Sequence, residues 1–278
     1  MKAAKNYVRA GFQGERGAFS EIAVRQLLAS ESDPVPFERF DQVFAALVDK
    51  KIEAAVIPME NTLHGSVIEN FDHLLQYDVE VIGETSVRIV HNLIALPGVA
   101  FKDITEVYSH PVALNQCLRF FQQNTQLEKK TFYDTAGSVK MLAESKRRDA
   151  AAIASNLAAD IYGARILKRG IEDNSANYTR FFLLQRRGGT VKGKMPLSKK
   201  VSIAFSTKNE SGSLFRNLAA LALRDISLTK IESRPLKGKP WEYMFYVDFV
   251  GQLKDEKVQN AIRHLQESAD FVKVLGAY

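Results

Sequence analysis

Short apolar segments that alternate with stretches of helical character are the feature that most limits how this chain can fold. Five such segments lie at residues 8–12, 54–58, 106–108, 150–154 and 181–184. Apolar runs of this length, bounded by polar and turn-forming residues, are typical of buried strands. Strands that alternate with helices form α/β sheets in which each strand ends at a loop that opens a helix. The first two thirds of the chain is therefore predicted to be an α/β domain.

A basic segment, RRGGTVKGKMPLSKK, separates this part from the rest. It holds six basic residues and no acidic one, which accounts for the whole net charge of +6. Glycine, lysine and proline in such a run are typical of a solvated linker rather than of a phosphate-binding arm, so we predict no nucleic-acid partner. The predicted domains are residues 7–187 and 200–278, joined by a linker at 188–199.

The residues after the linker predict a second fold. Strands are expected at residues 201–206, 226–234, 242–250 and 271–275, with helices at 212–224 and around Val258, Ile262 and Leu265. The order βαββαβ is the split ferredoxin-like arrangement, an antiparallel sheet with two helices on one side.

Composition excludes several classes of protein. Over 278 residues, 46% are hydrophobic and 25% charged, which is the balance of a soluble globular chain. No window reaches the ~18 consecutive apolar residues of a membrane span, and the first residues lack the apolar core of a secretion signal. We therefore expect a cytosolic protein with no membrane partner. The single Cys117 can form no intramolecular disulfide, and the histidines lack metal-ligand spacing, so no metal is predicted.

Small polar residues occur where each predicted strand meets the next helix. The segments are GERGAFSE, PMENTLHGSV, SHPVALNQC, DTAGSVK and ASNLAADIYG. A helix begins with unpaired N–H groups and a partial positive charge, so such a junction can bind a carboxylate or a phosphate. The hydroxyls of Ser20, Thr62, Ser109, Thr135 and Ser155 could instead only cap their own helices, and both interpretations stay open. Five junctions of one type favour a small, multiply charged anion at the carboxyl ends of the strands.

The stretch SANYTRFFLLQRR, residues 175–187, places Thr179 and Arg180 directly before an apolar strand. An anchored strand would hold the Thr179 hydroxyl with little freedom, which suits a group that must be positioned for chemistry. The alternative is that Thr179 and Arg180 only form the end of the strand and have no role in chemistry.

The ordered set of segments resembles the prephenate dehydratase family. The motifs that carry the resemblance are GERGAFSE, VIPMENTLHGSV, YSHPVALNQC, DTAGSVK, AAIASNLAADIYG and NYTRFF. The C-terminal part resembles the ACT regulatory domain through GSL at residues 212–214 and ESRP at residues 232–235. The resemblance covers residues 7–278 and implies a bilobed catalytic domain similar to type II periplasmic binding proteins, followed by the ACT domain.

The resemblance implies the decarboxylating dehydration of prephenate to phenylpyruvate, with no cofactor. Thr179 is then the hydrogen-bond donor to the departing hydroxyl. Arg180 either grips a carboxylate or pairs with an acid. Glu60 either orients Asn61 or acts as a plain capping acid, and His110 orients or binds. The expected catalytic residues are Thr179, Asn61, Ser109 and Gln116, and the expected substrate-binding residues are Glu60, Thr62, His110, Arg180, Phe181 and Ser20. Val112 stands where the family often has Gln.

The ACT resemblance implies side-by-side pairing of domains and an L-phenylalanine effector. Its expected site comprises Gly212, Ser213, Leu214, Glu232, Ser233, Arg234 and Pro235, in a homodimer or homotetramer. Two alternatives to a prephenate dehydratase stay open: an arogenate dehydratase, which gives phenylalanine directly, and a non-catalytic amino-acid-sensing protein.

Overall fold

A computed structural model describes residues 7–29, 32–191, 199–236 and 238–278, and these residues form two β-sheets flanked by helices. The strands are β1 Val8–Gln13, β2 Ser32–Phe37, β3 Ala54–Asn61, β4 Gly65–Ser66, β5 Val79–Arg88, β6 Asn92–Ala95, β7 Glu106–Ser109, β8 Glu128–Thr131, β9 Ala150–Ala154, β10 Arg165–Lys168, β11 Tyr178–Arg186, β12 Lys200–Thr207, β13 Leu228–Pro235, β14 Tyr243–Val250 and β15 Phe271–Ala277. The helices are α1 Phe19–Leu28, α2 Phe40–Val48, α3 Ile68–Gln76, α4 Pro111–Asn115, α5 Leu118–Gln123, α6 Thr135–Ser145, α7 Asn156–Ile161, α8 Ser213–Ala222 and α9 Glu256–Ser268.

The small sheet has five strands in the order β10-β6-β9-β7-β8, and the large sheet has ten. The order in the large sheet is β13-β14-β12-β15-β5-β11-β3-β1-β2, with β4 paired to β3. The chain crosses to the small sheet after β5 and returns with β11, which lies antiparallel between β5 and β3. All five strands predicted in the first part are present, and the predicted α/β, bilobed class is confirmed.

Strand β11 is buried because apolar side chains fill both of its faces. Phe181 and Leu183 pack into the core shared with α1 and β1, whereas Phe182 and Leu184 pack into the core on the opposite face. This alternation is the period of two expected of a strand. It anchors the strand that carries Thr179.

The C-terminal part has the predicted βαββαβ order and strand arrangement β13-β14-β12-β15, with a core formed by both helices and the inner face of the sheet. It is continuous with the large sheet, because Gly276 of β15 pairs in parallel with Val81 of β5. The division into 7–187 and 200–278 remains a prediction, and linker residues 192–198 lie outside the described residues.

Strand β2 lies at one edge of the large sheet and pairs only with β1 within the described part of the chain. Its sequence SDPVPF places Pro34 opposite Ala10 and Pro36 opposite Phe12. Proline is tolerated on edge strands because the N–H group that it lacks would face away from the partner.

The helices of the described residues include none that is long and apolar enough to span a membrane.

Replacing Gly276 by Ala should weaken the junction between β15 and β5. A Cβ atom at this position would collide with the backbone oxygen and nitrogen of Val81. Overpacking of this kind costs about 1–3 kcal/mol, so we expect a lower free energy of unfolding in urea denaturation. Gly83→Ala on β5 is the matched control, because its Cβ would meet Leu183 Cβ at 3.6 Å, an ordinary contact. Equal stability of the two variants would contradict the prediction.

Candidate active site

A cavity of about 220 Å³ lies between the two sheets and contains three of the four expected catalytic residues, together with one of the six expected substrate-binding residues, His110. It is lined by Phe19, Asn61, His64, Val67, Ile89, His91, His110, Val112, Ala113, Gln116, Thr135 and Thr179. Asn61 and Thr179 belong to the large sheet, whereas His110 and Gln116 flank α4 on the small sheet. The cavity is therefore a cleft closed by groups from both lobes.

The amide of Asn61 and the hydroxyl of Thr179 form one side of the cleft. The two residues are direct partners in the antiparallel β3–β11 ladder. Asn61 Nδ2 donates to Thr179 Oγ1 at 3.0 Å and to Asn177 Oδ1 at 2.7 Å. Asn61 Oδ1 accepts from the backbone N–H groups of Leu63 and His64 at 2.9 and 3.0 Å, which fixes the orientation of the amide. Because Thr179 Oγ1 accepts from Asn61, its own proton is available to a ligand.

His91 and Gln116 form the other polar part of the lining. Gln116 Oε1 lies 2.7 Å from His91 Nε2, and the His91 side chain is only 2% exposed. Burial lowers the pKa of His91, although the hydrogen bond to Gln116 and the Glu172 carboxylate act in the opposite direction. A neutral ring that donates from Nε2 holds the Gln116 oxygen, so the Gln116 NH₂ group is left to donate elsewhere.

His91 was considered in the sequence only as a metal ligand, and its position in the cleft was missed. It follows β5 at the crossover between sheets, and its backbone N–H donates to Glu172 at 2.9 Å. No local pattern distinguishes such a residue from an ordinary buried histidine. Phe19, which contacts the His91 ring edge-on at 5.7 Å, was missed for the same reason.

His110 lies in the lining and caps α4. Its Nδ1 accepts from the backbone N–H of Val112 at 3.3 Å, so the ring is held by the helix that it begins. This contact favours the expected orienting or binding role. Val112 also lines the cleft and is 40% exposed, as an apolar wall where the family often has an amide.

Ser109, Ser20 and Phe181, all expected in the site, are not part of the cavity lining. Ser109 is fully buried, and its hydroxyl donates to the Ile153 carbonyl at 2.7 Å, which ties β7 to β9. Phe181 is 2% exposed and belongs to the core. Ser20 is also buried, one residue into α1. The contacts of Ser109 and Phe181 belong to the sheet and the core and do not place these two residues against a substrate.

Thr62 and Arg180 hold neighbouring backbone and side chains rather than facing the cleft. The Thr62 hydroxyl donates to the Ala176 carbonyl at 2.9 Å and accepts from the Tyr178 N–H at 3.0 Å, which clamps the segment before β11. Arg180 pairs with Glu84 and Asp248 at 2.6 Å each. Of the two roles expected for Arg180, these contacts favour pairing with acids. The carboxylate grip is not supported, because both sides of the guanidinium are occupied.

Glu60 also points away from the cleft. Its carboxylate pairs with Lys230 of β13 at 3.1 Å. Neither of its expected roles, orienting Asn61 or capping, is seen among its hydrogen bonds.

A larger cavity of about 390 Å³ lies beside the loop after β1. Its lining includes the carboxylates of Glu15, Glu38 and Asp134, and burial raises the pKa of Asp134. Tyr133 and Lys140 bridge the lobes here by contacting Glu15 at 2.8 and 3.1 Å. Carboxylates repel an anionic ligand, so this cavity does not fit the chemistry inferred from the sequence.

The expected effector residues fall into two groups. Gly212, at φ 78°, precedes α8, and Ser213 lines a cavity of about 260 Å³ with Arg216 and Asn217. On β13, Arg234 and Pro235 line a different cavity of about 160 Å³, beside α3.

Leu214 is half-buried in the C-terminal core, and Ser233 is exposed. Glu232 accepts a hydrogen bond from Ser66, and Arg234 pairs with Asp72 at 3.1 Å. Within one chain, the two groups do not share a cavity.

Within the ranges that the structure describes, no group of three or more histidine, cysteine or acidic residues is arranged to hold a metal ion.

Comparison with known proteins gives the same identification over almost the whole chain. The prephenate dehydratase family model matches residues 10–189. The chain is 43% identical to the chloroplastic arogenate dehydratase/prephenate dehydratase 2 of Arabidopsis thaliana, over 98% of this chain and 72% of the relative.

Two solved structures share the fold. The quorum-quenching acylase GqqA superposes with a TM-score of 0.88 at 31% identity and covers 97% of each chain. The prephenate dehydratase of Arthrobacter aurescens, in complex with L-phenylalanine, superposes with a TM-score of 0.86 at 27% identity, over 98% of this chain and 90% of the other.

The expectation of a cytosolic protein is wrong by this comparison. The Arabidopsis relative, to which the chain is 43% identical, is a chloroplastic protein. The prediction failed because it depended on the absence of an apolar secretion signal, and plastid transit peptides are amphipathic and lack one.

The family model, the identity to the Arabidopsis enzyme and the full-length superposition agree with one another on the family. The chain is a dehydratase that belongs to the prephenate dehydratase family.

Proposed function

We propose that the protein converts prephenate to phenylpyruvate, with loss of carbon dioxide and water, and that L-phenylalanine regulates it through the C-terminal domain. The observation that carries the proposal is the Asn61–Thr179 hydrogen bond in the cleft, which leaves the Thr179 proton free for a leaving group. The Gln116 amide faces the same cavity from the other lobe.

The reaction needs a proton donor at the departing hydroxyl and a water-free environment around the ring carboxylate that leaves as carbon dioxide. The ring carboxylate leaves as carbon dioxide, and its bonding electrons enter the ring as the C–O bond to the hydroxyl breaks. The hydroxyl departs as water when a proton reaches it, and Thr179 supplies or relays that proton. A positioned donor of this kind contributes on the order of 10² to 10⁴ in rate. Apolar walls formed by Phe19, Ile89 and Val112 exclude water from the ring.

The charge of the cavity favours prephenate over arogenate. The twelve described residues that line it include no aspartate or glutamate. The lining also includes no arginine or lysine, so the two carboxylates that both substrates carry meet the same neutral groups, and the ammonium group of arogenate gains no ionic partner from the protein. The keto group of prephenate needs only a neutral donor, and the cleft offers several.

Nucleophilic chemistry of the kind used in acyl transfer fits the cleft less well. A threonine nucleophile needs a neighbouring base to take its proton. The side-chain partner of Thr179 among the described hydrogen bonds is the Asn61 amide, which is a donor. The relation to GqqA therefore does not lead us to propose amide hydrolysis for this chain, and the oriented Asn61–Thr179 pair in the cleft argues against a sensor without catalysis.

The proposed regulation rests on the arrangement of the C-terminal domain. The Arthrobacter relative binds L-phenylalanine. Here the Gly212–Ser213 turn and the Arg234–Pro235 segment line separate cavities of one chain. A site built from both needs a second copy, so we propose a homodimer or a homotetramer with effector bound between C-terminal domains.

Thr179→Ala should lower kcat at least about a hundredfold with little change in thermal stability, because it removes one positioned donor. Thr179→Ser is the matched control that keeps a hydroxyl, and it should retain more activity. Steady-state kinetics with prephenate, followed by phenylpyruvate absorbance, measures both. Unchanged turnover in Thr179→Ala would refute the donor role.

Purified protein incubated separately with prephenate and arogenate should favour prephenate in kcat/KM. The products are phenylpyruvate and phenylalanine, which chromatography separates. Adding L-phenylalanine to the prephenate assay should change the rate. A higher kcat/KM for arogenate would overturn the substrate assignment, and turnover of neither would overturn the dehydratase proposal for this cleft.

His91→Gln should reduce the loss of stability that acidification causes. Burial lowers the pKa of His91, so below the unfolded value of about 6.5 the unfolded chain binds a proton that the folded chain does not. Folded-state stability therefore falls as pH decreases through this range. The difference in melting temperature between pH values near about 7.5 and about 5 should be smaller in the variant than in the wild type. An identical difference in the two proteins would contradict the neutral assignment of His91.

A further inference from the structure

The β3–β11 register sends successive residue pairs to opposite faces of the large sheet. Thr179 pairs with Asn61, and the next pair is Arg180 with Glu60. Because side chains alternate along a strand, the register that places Thr179 and Asn61 in the cleft turns Arg180 and Glu60 away from it. A register irregularity follows directly, between Arg180 and Phe181. The two polar pairs therefore form a short terminal segment of the ladder, set off from the apolar part of β11.

Arg180 connects this terminal segment to the C-terminal domain. It donates to Glu84 of β5 and to Asp248 of β14 at 2.6 Å each, and to the Tyr278 hydroxyl at 3.0 Å. Asp248 is only 5% exposed, and it also accepts from Ser202 at 2.5 Å. Charged groups that are paired and this well buried hold each other in one geometry, since losing one partner leaves the other uncompensated.

Glu60 makes the second connection. It pairs with Lys230 of β13 at 3.1 Å, and the Lys230 side chain is only 10% exposed. Lys230 also donates to Ser66 at 3.1 Å and lies 3.4 Å from Glu232. Both members of the outward-facing pair are thus fixed by residues of the C-terminal domain.

We propose that Arg180 and Glu60 are positioning residues for the dehydration, and that Asp248 and Lys230 of the C-terminal domain hold the Asn61–Thr179 pair in its reactive geometry through them. The inference rests on the proposed function of the cleft. It makes the C-terminal domain part of the catalytic geometry even without an effector. Lys230 contacts Glu232, an expected effector residue, so a ligand that engages Glu232 would act on the same connection.

Simple docking of the two domains is the competing explanation, and the chain contains a control for it. Lys273 of β15 also ties the C-terminal domain to the first part, by donating to the carbonyls of Leu74, Leu75 and Tyr77 at 3.0, 3.2 and 3.3 Å. These acceptors lie at the end of α3 and are not neighbours of Asn61 or Thr179. Lys273→Met weakens docking without touching the proposed connection.

The test compares Asp248→Asn, Lys230→Met and Tyr278→Phe with Lys273→Met in the full chain. Displacing a reactive group by a fraction of an ångström to one ångström costs up to about a hundredfold in rate. We expect Asp248→Asn and Lys230→Met to lower kcat about tenfold or more while KM changes less than about twofold. Tyr278→Phe, which removes one hydroxyl, should have a smaller effect in the same direction. Lys273→Met should keep kcat close to the wild-type value.

Hydrogen exchange gives a readout that does not depend on turnover. Amides of residues 60–62 and 178–181 should exchange faster in Asp248→Asn and Lys230→Met than in the wild type or in Lys273→Met. Should Asp248→Asn fail to fold, Lys230→Met and Tyr278→Phe decide the outcome.

If folded Asp248→Asn and Lys230→Met had the kcat and the amide exchange rates of the wild type, the inference would be overturned. An equal loss of kcat in Lys273→Met would also overturn it. Absence of turnover in the wild type would instead count against the proposed function, and the exchange comparison would still decide whether the connection exists.

Discussion

The antiparallel register between β3 and β11 is the constraint on which the cleft depends. It places the Asn61 amide beside the Thr179 hydroxyl. It is held by apolar side chains on both faces of β11, which belong to two different cores. A slip of one residue would send Thr179 to the opposite face and bring Arg180 into the cleft. Packing in the two cores thus selects the register, and the register positions the Asn61 amide and the Thr179 hydroxyl in the cleft.

The polar side chains that line the cleft are neutral, and this limits the chemistry that the cleft can perform. Its polar lining consists of amides, hydroxyls and imidazoles, and its ion pairs lie outside. Neutral donors that are already oriented by hydrogen bonds need little reorganisation when charge moves during a reaction. Asn61 is oriented by two backbone N–H groups and Gln116 by His91. The ion pairs of Arg180 and Glu60 lie outside the cleft, whereas the side chains that line it are uncharged amides, hydroxyls and imidazoles or apolar groups.

Sequence reasoning found the elements whose signal is local and missed those whose signal is not. The apolar strand β9, the apolar run at residues 181–184 of β11 and the βαββαβ order were predicted because runs and periodicities depend on neighbouring residues. Strands β2, β4, β5, β6, β8 and β10 were missed. The ten-residue strand β5 has an alternation that is interrupted at residues 83–86, and the others are short or carry prolines and charged residues. The pairing of Gly276 with Val81 joins residues that are distant in sequence, and no local pattern in either segment predicts it.

The same distinction holds for the site. Asn61, Gln116 and Thr179 were found through motifs, whereas His91 reaches the cleft only through the crossover between sheets. The neighbour of a reactive group is also hard to assign from sequence, because adjacent strand residues face opposite ways. Arg180 stands next to Thr179 in the motif, yet two of its three side-chain partners, Asp248 and Tyr278, belong to the other end of the chain.

The two prolines of β2 have a consequence for how molecules behave at high concentration. An outermost strand normally exposes a row of free amide donors that can recruit a strand from a neighbouring molecule. Pro34 and Pro36 fall at alternate positions of this strand, so the donors that would face solvent are missing. Fibre-like growth through this edge strand is thereby discouraged.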